Sequence, residues 1–210
     1  MAYEIFENLP EEKQELILST GIKAFSGNTY KDVSTDSITK QCGISKGLLF
    51  HYFGSKKDYY LYCLEKSMQR LIGGKENLTG DDFYGILFDS MNRKMETCMQ
   101  YQDEMHMVNM ASRDASVDVA DGKAEILRRY RTVIQLRSAQ TLQKAMARLE
   151  LKDTGRRQIT AEGLQLYINA VMNKYLAQYQ QTPDRFFENS EQIRQEIRMY
   201  LDLMLYGICR

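Results

Sequence analysis

Nine residues between positions 34 and 56 carry the side chains best suited to shared chemistry: Ser34, Thr35, Ser45, Lys46, Gly47, Leu48, His51, Tyr52 and Lys56. Hydroxyl and ammonium donors dominate the set, which suits recognition of a polyanion. Binding DNA takes two kinds of contact, phosphate contacts that fix position and base contacts that select sequence. Lys46 can donate to guanine, Gly47 allows close approach of a backbone, and Leu48 can touch a thymine methyl. His51 lies four residues after Gly47, on the same helical face.

The elements that must position these groups are legible in the run STDSITKQCGISKGLLFHYFGSK, Ser34 to Lys56. Two short helical patterns flank Gly43, which supplies the tight turn where a side chain would be crowded. Ser34 and Thr35 both offer an N-cap to the first pattern, and Ser45 caps the second. Ile38, Cys42, Ile44, Leu49 and Phe53 form the inner, apolar side, so Gly47 and His51 face outward. Tyr52 is either a donor at this face or a half-buried brace. A short helix with a small, polar and basic outer face fits a DNA major groove, and the whole run is a helix-turn-helix pattern.

The run also resembles the signature of the tetracycline-repressor (TetR/AcrR) family of bacterial transcriptional regulators. The matching positions are Tyr30, Ser34, Ile38, Gly43-Ile44-Ser45, Lys46-Gly47, Phe50-His51-Tyr52-Phe53 and Ser55-Lys56. The resemblance implies that Ser34, Thr35, Ser45, Tyr52 and Lys56 grip the DNA backbone while Lys46, Gly47, Leu48 and His51 enter the groove. Two positions depart from the family pattern. Leu48 stands where many members carry Thr or Ser, and Ser37 where an acidic residue often completes the capping box. The resemblance further implies an all-α fold: an N-terminal three-helix DNA-binding domain (9–69, with a connecting helix) followed by a larger helical effector-binding and dimerisation domain (70–210). Function would be that of a homodimeric regulator, most often a repressor, bound to a palindromic operator and released by a small molecule.

Composition neither supports nor opposes this. The 210-residue chain has 28 basic and 28 acidic residues, so bulk charge gives no sign of nucleic-acid binding. Locally, Lys31, Lys40, Lys46, Lys56 and Lys57 outnumber Asp32 and Asp36. Cys42, Cys63, Cys98 and Cys209 form no CxxC pair, and His51 and His106 complete no zinc framework, so free thiols and no metal or other cofactor are expected. An acidic start without an apolar h-region and the lack of any long apolar run point to a cytoplasmic protein without a membrane partner. There is no nucleophile elbow, phosphate loop or acid/base pair tied to a motif, which argues against an enzyme. A helical module for protein contacts is the remaining alternative, disfavoured by the basic outer face.

Apolar residues at helical spacing organise the rest. One helix starts at Asn8-Leu9-Pro10 with Leu16, Ile17, Ile22, Ala24 and Phe25 as its apolar positions, and a second runs from a Ser55 cap to about Ile72. Further helices are expected from Asp81, from Asp103 to Ser112, from Lys123 to Leu149 with Ile126, Ile134 and Leu142 inward, from Thr160, and after an interruption at Pro183. Ala115 to Gly122 reads as loop-like and Asp153-Thr154-Gly155 as a turn. Phe88, Met91, Met95, Cys98, Met99, Tyr101, Met105, Met110 and Tyr130 either line a pocket for an apolar or amphipathic effector or form a Met-rich core. Ile168, Val171, Met172, Tyr175, Ile197, Leu201, Met204 and Leu205 either pair with their copies in a four-helix bundle or close an intramolecular core.

Overall fold

The computed structural model describes residues 3–74, 79–150, 157–179 and 182–207. Among them the regular structure is helical, with no strand: α1 (Glu4–Glu7), α2 (Glu11–Ser26), α3 (Thr35–Cys42), α4 (Lys46–Phe53), α5 (Lys56–Ile72), α6 (Phe83–Gln100), α7 (Gln102–Arg113), a 3-10 turn (Val117–Val119), α8 (Ala120–Met146), α9 (Arg157–Tyr179), α10 (Pro183–Glu188) and α11 (Ser190–Tyr206). The all-α expectation holds. The Asp153-Thr154-Gly155 turn, and Asn77 and Leu78 of the break before α6, lie outside the described residues.

Local signals explain most helix ends. Pro10 precedes α2 and Glu11 and Glu12 occupy its first turn, where acids complement the N-terminal dipole. Ser45 and Ser55 cap α4 and α5 by accepting from the amides of Leu48 and Asp58. Ser34 precedes α3 in an extended conformation but makes no side-chain cap bond. Pro183 opens α10 in its first turn, so the proline that breaks one helical pattern starts another.

Several expectations are corrected. The stretch 115–122 is not a loop throughout, since Val117–Val119 form a 3-10 turn and α8 begins at Ala120. The short α1 carries Phe6, fully buried among Tyr52, Phe53 and Tyr62, and a four-residue helix is too short to show a period. Leu16 and Ile134 are exposed, because Ile17 with Leu18 and Ile126 take the inward positions on α2 and α8.

The helices form two compact units, neither contiguous in sequence: residues 1–74 with 101–134, and 75–100 with 135–210. The first, here the head unit, contains α1 to α5, α7 and the start of α8. Its core joins Ile17, Ile22 and Phe25 of α2, Ile38 of α3, Leu49 and Phe53 of α4, Tyr59, Cys63 and Leu64 of α5, and Met107 and Ala111 of α7. Helix α7 is thus part of the head, although it follows α6 in the chain. It is fastened at its start by Glu104, which accepts from Arg70 of α5 (2.6 Å), while the same guanidinium also pairs with Glu15 of α2. Between them the Ser67 hydroxyl reaches the Met107 sulfur at 3.5 Å. A functional division near residue 69 therefore does not coincide with the division by packing.

The second unit packs α6, α9, α10, α11 and the end of α8 around Phe83, Ile86, Met91, Met95, Leu142, Leu164, Ile168, Tyr175, Phe186, Ile193, Ile197 and Leu201. The Tyr175 hydroxyl donates to Glu196 (2.8 Å) and the Tyr84 hydroxyl to Asp202, tying α9 and α6 to α11.

Candidate nucleic-acid interface

The turn between α3 and α4 depends on one backbone geometry. Gly43 closes α3 in the left-handed region, at φ 64° and ψ 30°, and its amide and that of Ile44 satisfy the carbonyls of Lys40 and Thr39. An L side chain adopts that conformation only at a cost, so glycine is required by the turn. Behind the turn, Ile38, Cys42, Leu49 and Phe53 are buried as their spacing requires.

Helix α4 then presents Ser45, Lys46, Gly47 and His51 outward, all exposed. A Cβ placed on Gly47 would meet nothing closer than the Ser45 hydroxyl at 3.9 Å, so no internal crowding accounts for glycine there. Leu48 is half-buried, resting on the head core. Lys46 Nζ lies 3.1 Å from Asp36 Oδ2 at the start of α3, an exposed pair. Such a pair contributes little stability but limits where the ammonium points. In the sequence Asp36 is only one of two acids, with Asp32, set among the local lysines.

Lys56 sits at the start of α5, its Nζ 4.6 Å from the centre of the Tyr30 ring and 3.4 Å from the Lys31 carbonyl. Burial draws its pKa below the ordinary lysine value, against the opposing influence of Asp32. Ser34 is exposed at the entry to α3. Thr35 and Tyr52 are more deeply set, at 7% and 6% exposure. The Tyr52 ring packs 5.9 Å from Phe6 and edge-on to Phe53, bracing the helix-turn-helix from behind.

Among the expected effector residues, Phe88, Met91, Met95, Cys98 and Met99 fall in the second unit and Tyr101, Met105, Met110 and Tyr130 in the head unit. Met91, Met95 and Met105 are buried by their own unit, and the Tyr130 hydroxyl is engaged by Glu65. Met99 is exposed, and Phe88, Cys98, Tyr101 and Met110 are half-buried. His106 is exposed on α7. The expected dimer residues need a larger correction. Ile168, Val171, Tyr175, Ile197 and Leu201 are core residues of the second unit, Met172 and Leu205 pack against that core, and only Met204 is exposed. The large apolar side chains that α9 and α11 leave open are Ile159, Leu166, Met199, Tyr200, Leu203, Met204 and Tyr206. A stripe of period 3.6 reports a helix's apolar side but not whether its own chain or another covers it.

Among the described residues no helix is long and apolar enough to cross a membrane, and no group of three or more His, Cys, Asp or Glu could hold a metal.

Comparison with known proteins falls on the same elements. Residues 17–62 match the family described as bacterial regulatory proteins, tetR family. The HTH-type transcriptional regulator YuxN of Bacillus subtilis (strain 168) is 36% identical over 69 residues, covering 31% of this chain and 24% of YuxN. YerO, another HTH-type regulator of that organism, is 28% identical over 96 residues, 44% of this chain and 33% of its own length. The matched segments thus span a third or less of these relatives. Two solved structures share the fold over nearly the whole chain. A TetR family transcriptional regulator from Chloroflexus aurantiacus J-10-FL is 21% identical, covering 97% of this chain and 96% of that one, with a TM-score of 0.52. PfmR of Thermus thermophilus, of the same family, is 18% identical, covering 92% of this chain and 99% of that one, with a TM-score of 0.51.

Proposed function

We propose that this chain, whose residues 17–62 match the tetR family of bacterial regulatory proteins, is a helix-turn-helix transcriptional regulator that acts as a homodimeric repressor. It binds a palindromic operator and is released by a small-molecule effector. The observation that carries the DNA-contact assignment is the outer face of α4, where Ser45, Lys46, Gly47 and His51 are exposed together and Gly47 meets no neighbour that would require glycine. A missing side chain at an open helical surface fits close approach of a second molecule's backbone or base edges. Lys46 and His51 read base edges, Leu48 contributes an apolar edge, and Ser34, Ser45 and Lys56 hold phosphates.

Dimerisation is supported by the apolar side chains that α9 and α11 expose, among them Leu166 at 73% and Leu203 at 46%. Side chains of this kind gain when a second copy removes them from water. The effector, an apolar or amphipathic molecule, would meet Phe88, Cys98 or Met99, the expected residues of the second unit that keep open surface. Release requires that it bind the DNA-free arrangement more tightly than the bound one.

Selection of bound duplexes from a random pool tests the reading. Enrichment of an inverted repeat is expected. Lys56→Ala should weaken binding to all duplexes alike and shrink the salt slope by about 0.9, whereas Lys46→Ala should change the bases preferred. A pool that stays random after repeated selection would sink the proposal.

A further inference from the structure

We infer that Asp114, which follows α7 and lies far from the helix-turn-helix in sequence, is a positioning residue of the DNA interface. It holds in place the turn from which both α3 and Lys56 take their orientation. The inference rests on the DNA-binding reading above.

Asp114 is 7% exposed, a buried carboxylate in the head unit. One of its oxygens accepts from the Tyr30 backbone N–H at 2.6 Å and the other from the Ser116 N–H at 2.8 Å. Its backbone is held as well, because its N–H donates to the Met110 carbonyl and its carbonyl accepts from Lys123 Nζ. A charged acceptor shared by backbone donors makes hydrogen bonds stronger than neutral pairs, and burial makes their loss more costly. Burial alone would raise the Asp114 pKa, but the bonds from Ser116 and Tyr30, with Lys123 nearby, hold it below the ordinary carboxylate range.

What the carboxylate grips is the turn at residues 29–32, closed by the Asp32 N–H on the Thr29 carbonyl. The Tyr30 ring stands edge-on to Tyr60 of α5 at 5.4 Å and carries the Lys56 ammonium on its face. Lys56 also donates to the carbonyl of Lys31. The chain then passes through buried Val33 to Ser34, which precedes α3 without a side-chain cap bond of its own. The entry to α3 therefore takes its support from the turn, and the turn from Asp114. A phosphate contact depends on the position of its donor, so freeing the turn weakens the two groups beside it, Ser34 and Lys56, and leaves the outer face of α4 as it is.

The test uses the full-length chain and a duplex selected by the unmodified protein; failure to obtain such a duplex counts against the DNA-binding reading itself. Asp114→Ala should bind that duplex roughly tenfold or more weakly, the scale of one charge-assisted hydrogen bond. Its salt slope should fall by about 0.9, one phosphate contact, with base preference unchanged. Exchange of the Tyr30 amide should accelerate in the same variant. Asp114→Asn, which keeps one acceptor oxygen, should lie between the two proteins and decides the matter if the alanine variant does not fold. In the unmodified chain the Tyr30 amide should be protected from exchange. Unchanged affinity and salt slope in a folded variant, a shift in base preference without a change in slope, or a freely exchanging Tyr30 amide in the unmodified chain would each overturn the inference.

Discussion

Glycines at 43 and 47 look alike in the sequence but are required for different reasons. Gly43 is needed by the fold, because its φ of 64° closes α3. Gly47 is helical and faces open space, so nothing inside the chain demands it. Replacing it with alanine should leave the melting temperature unchanged or raise it slightly, since alanine is favoured over glycine in a helix by up to ~1 kcal/mol. Operator affinity should nevertheless fall, because the new methyl lies where the duplex must approach. Parallel melting and DNA-binding measurements on Gly47→Ala check this, and undiminished binding would remove Gly47 from the interface. Local chemistry made both glycines, and the Ser45 and Ser55 caps, legible, because each signal spans only a few residues. Asp114 and its hold on Tyr30 were not legible, because no pattern joins residues 84 positions apart.

At the scale of elements, the head depends on how closely α2 and α5 approach. A Cβ on Gly21 of α2 would overlap the Tyr59 ring and come within 2.8 Å of the Cys63 sulfur. Tyr59 cannot move aside cheaply, as it is fully buried and its hydroxyl donates to the Ile17 carbonyl. Gly21→Ala should therefore destabilise the head by ~1–3 kcal/mol, the usual cost of overpacking, in spite of alanine's better helix propensity. Chemical denaturation measures this, and a variant as stable as the parent would show that α2 and α5 separate more readily than their packing indicates. Helix existence was clear from apolar spacing, but which residues each helix buries was less so. Leu16 and Ile134 face outward, and Met91 and Met95 are core, because a stripe's neighbours come from distant parts of the chain.

For the whole molecule, the corrected dimer residues matter most. Ile197 and Leu201 cannot mediate association while they fill their own unit's core, whereas Leu166 and Leu203 are already exposed. Leu203→Glu and Leu166→Glu should leave helical content unchanged and shift a dimer toward monomer in sedimentation, with operator affinity falling in step. A parent chain that sediments as a monomer at micromolar concentration, or variants that remain fully dimeric, would refute this assignment.

The interleaved order of the two units also sets a schedule for synthesis. The head cannot acquire its full core when α5 leaves the ribosome, because α7 comes only after α6, which belongs to the other unit. At about 5–20 residues per second, the stretch from Ile72 to Arg113 takes roughly 2–8 s to make. During that interval the part of α2 and α5 that Met107 and Ala111 of α7 will cover stays open on the nascent chain. A chaperone acting on this protein during translation would find its binding surface there, and would be displaced from it when α7 arrives.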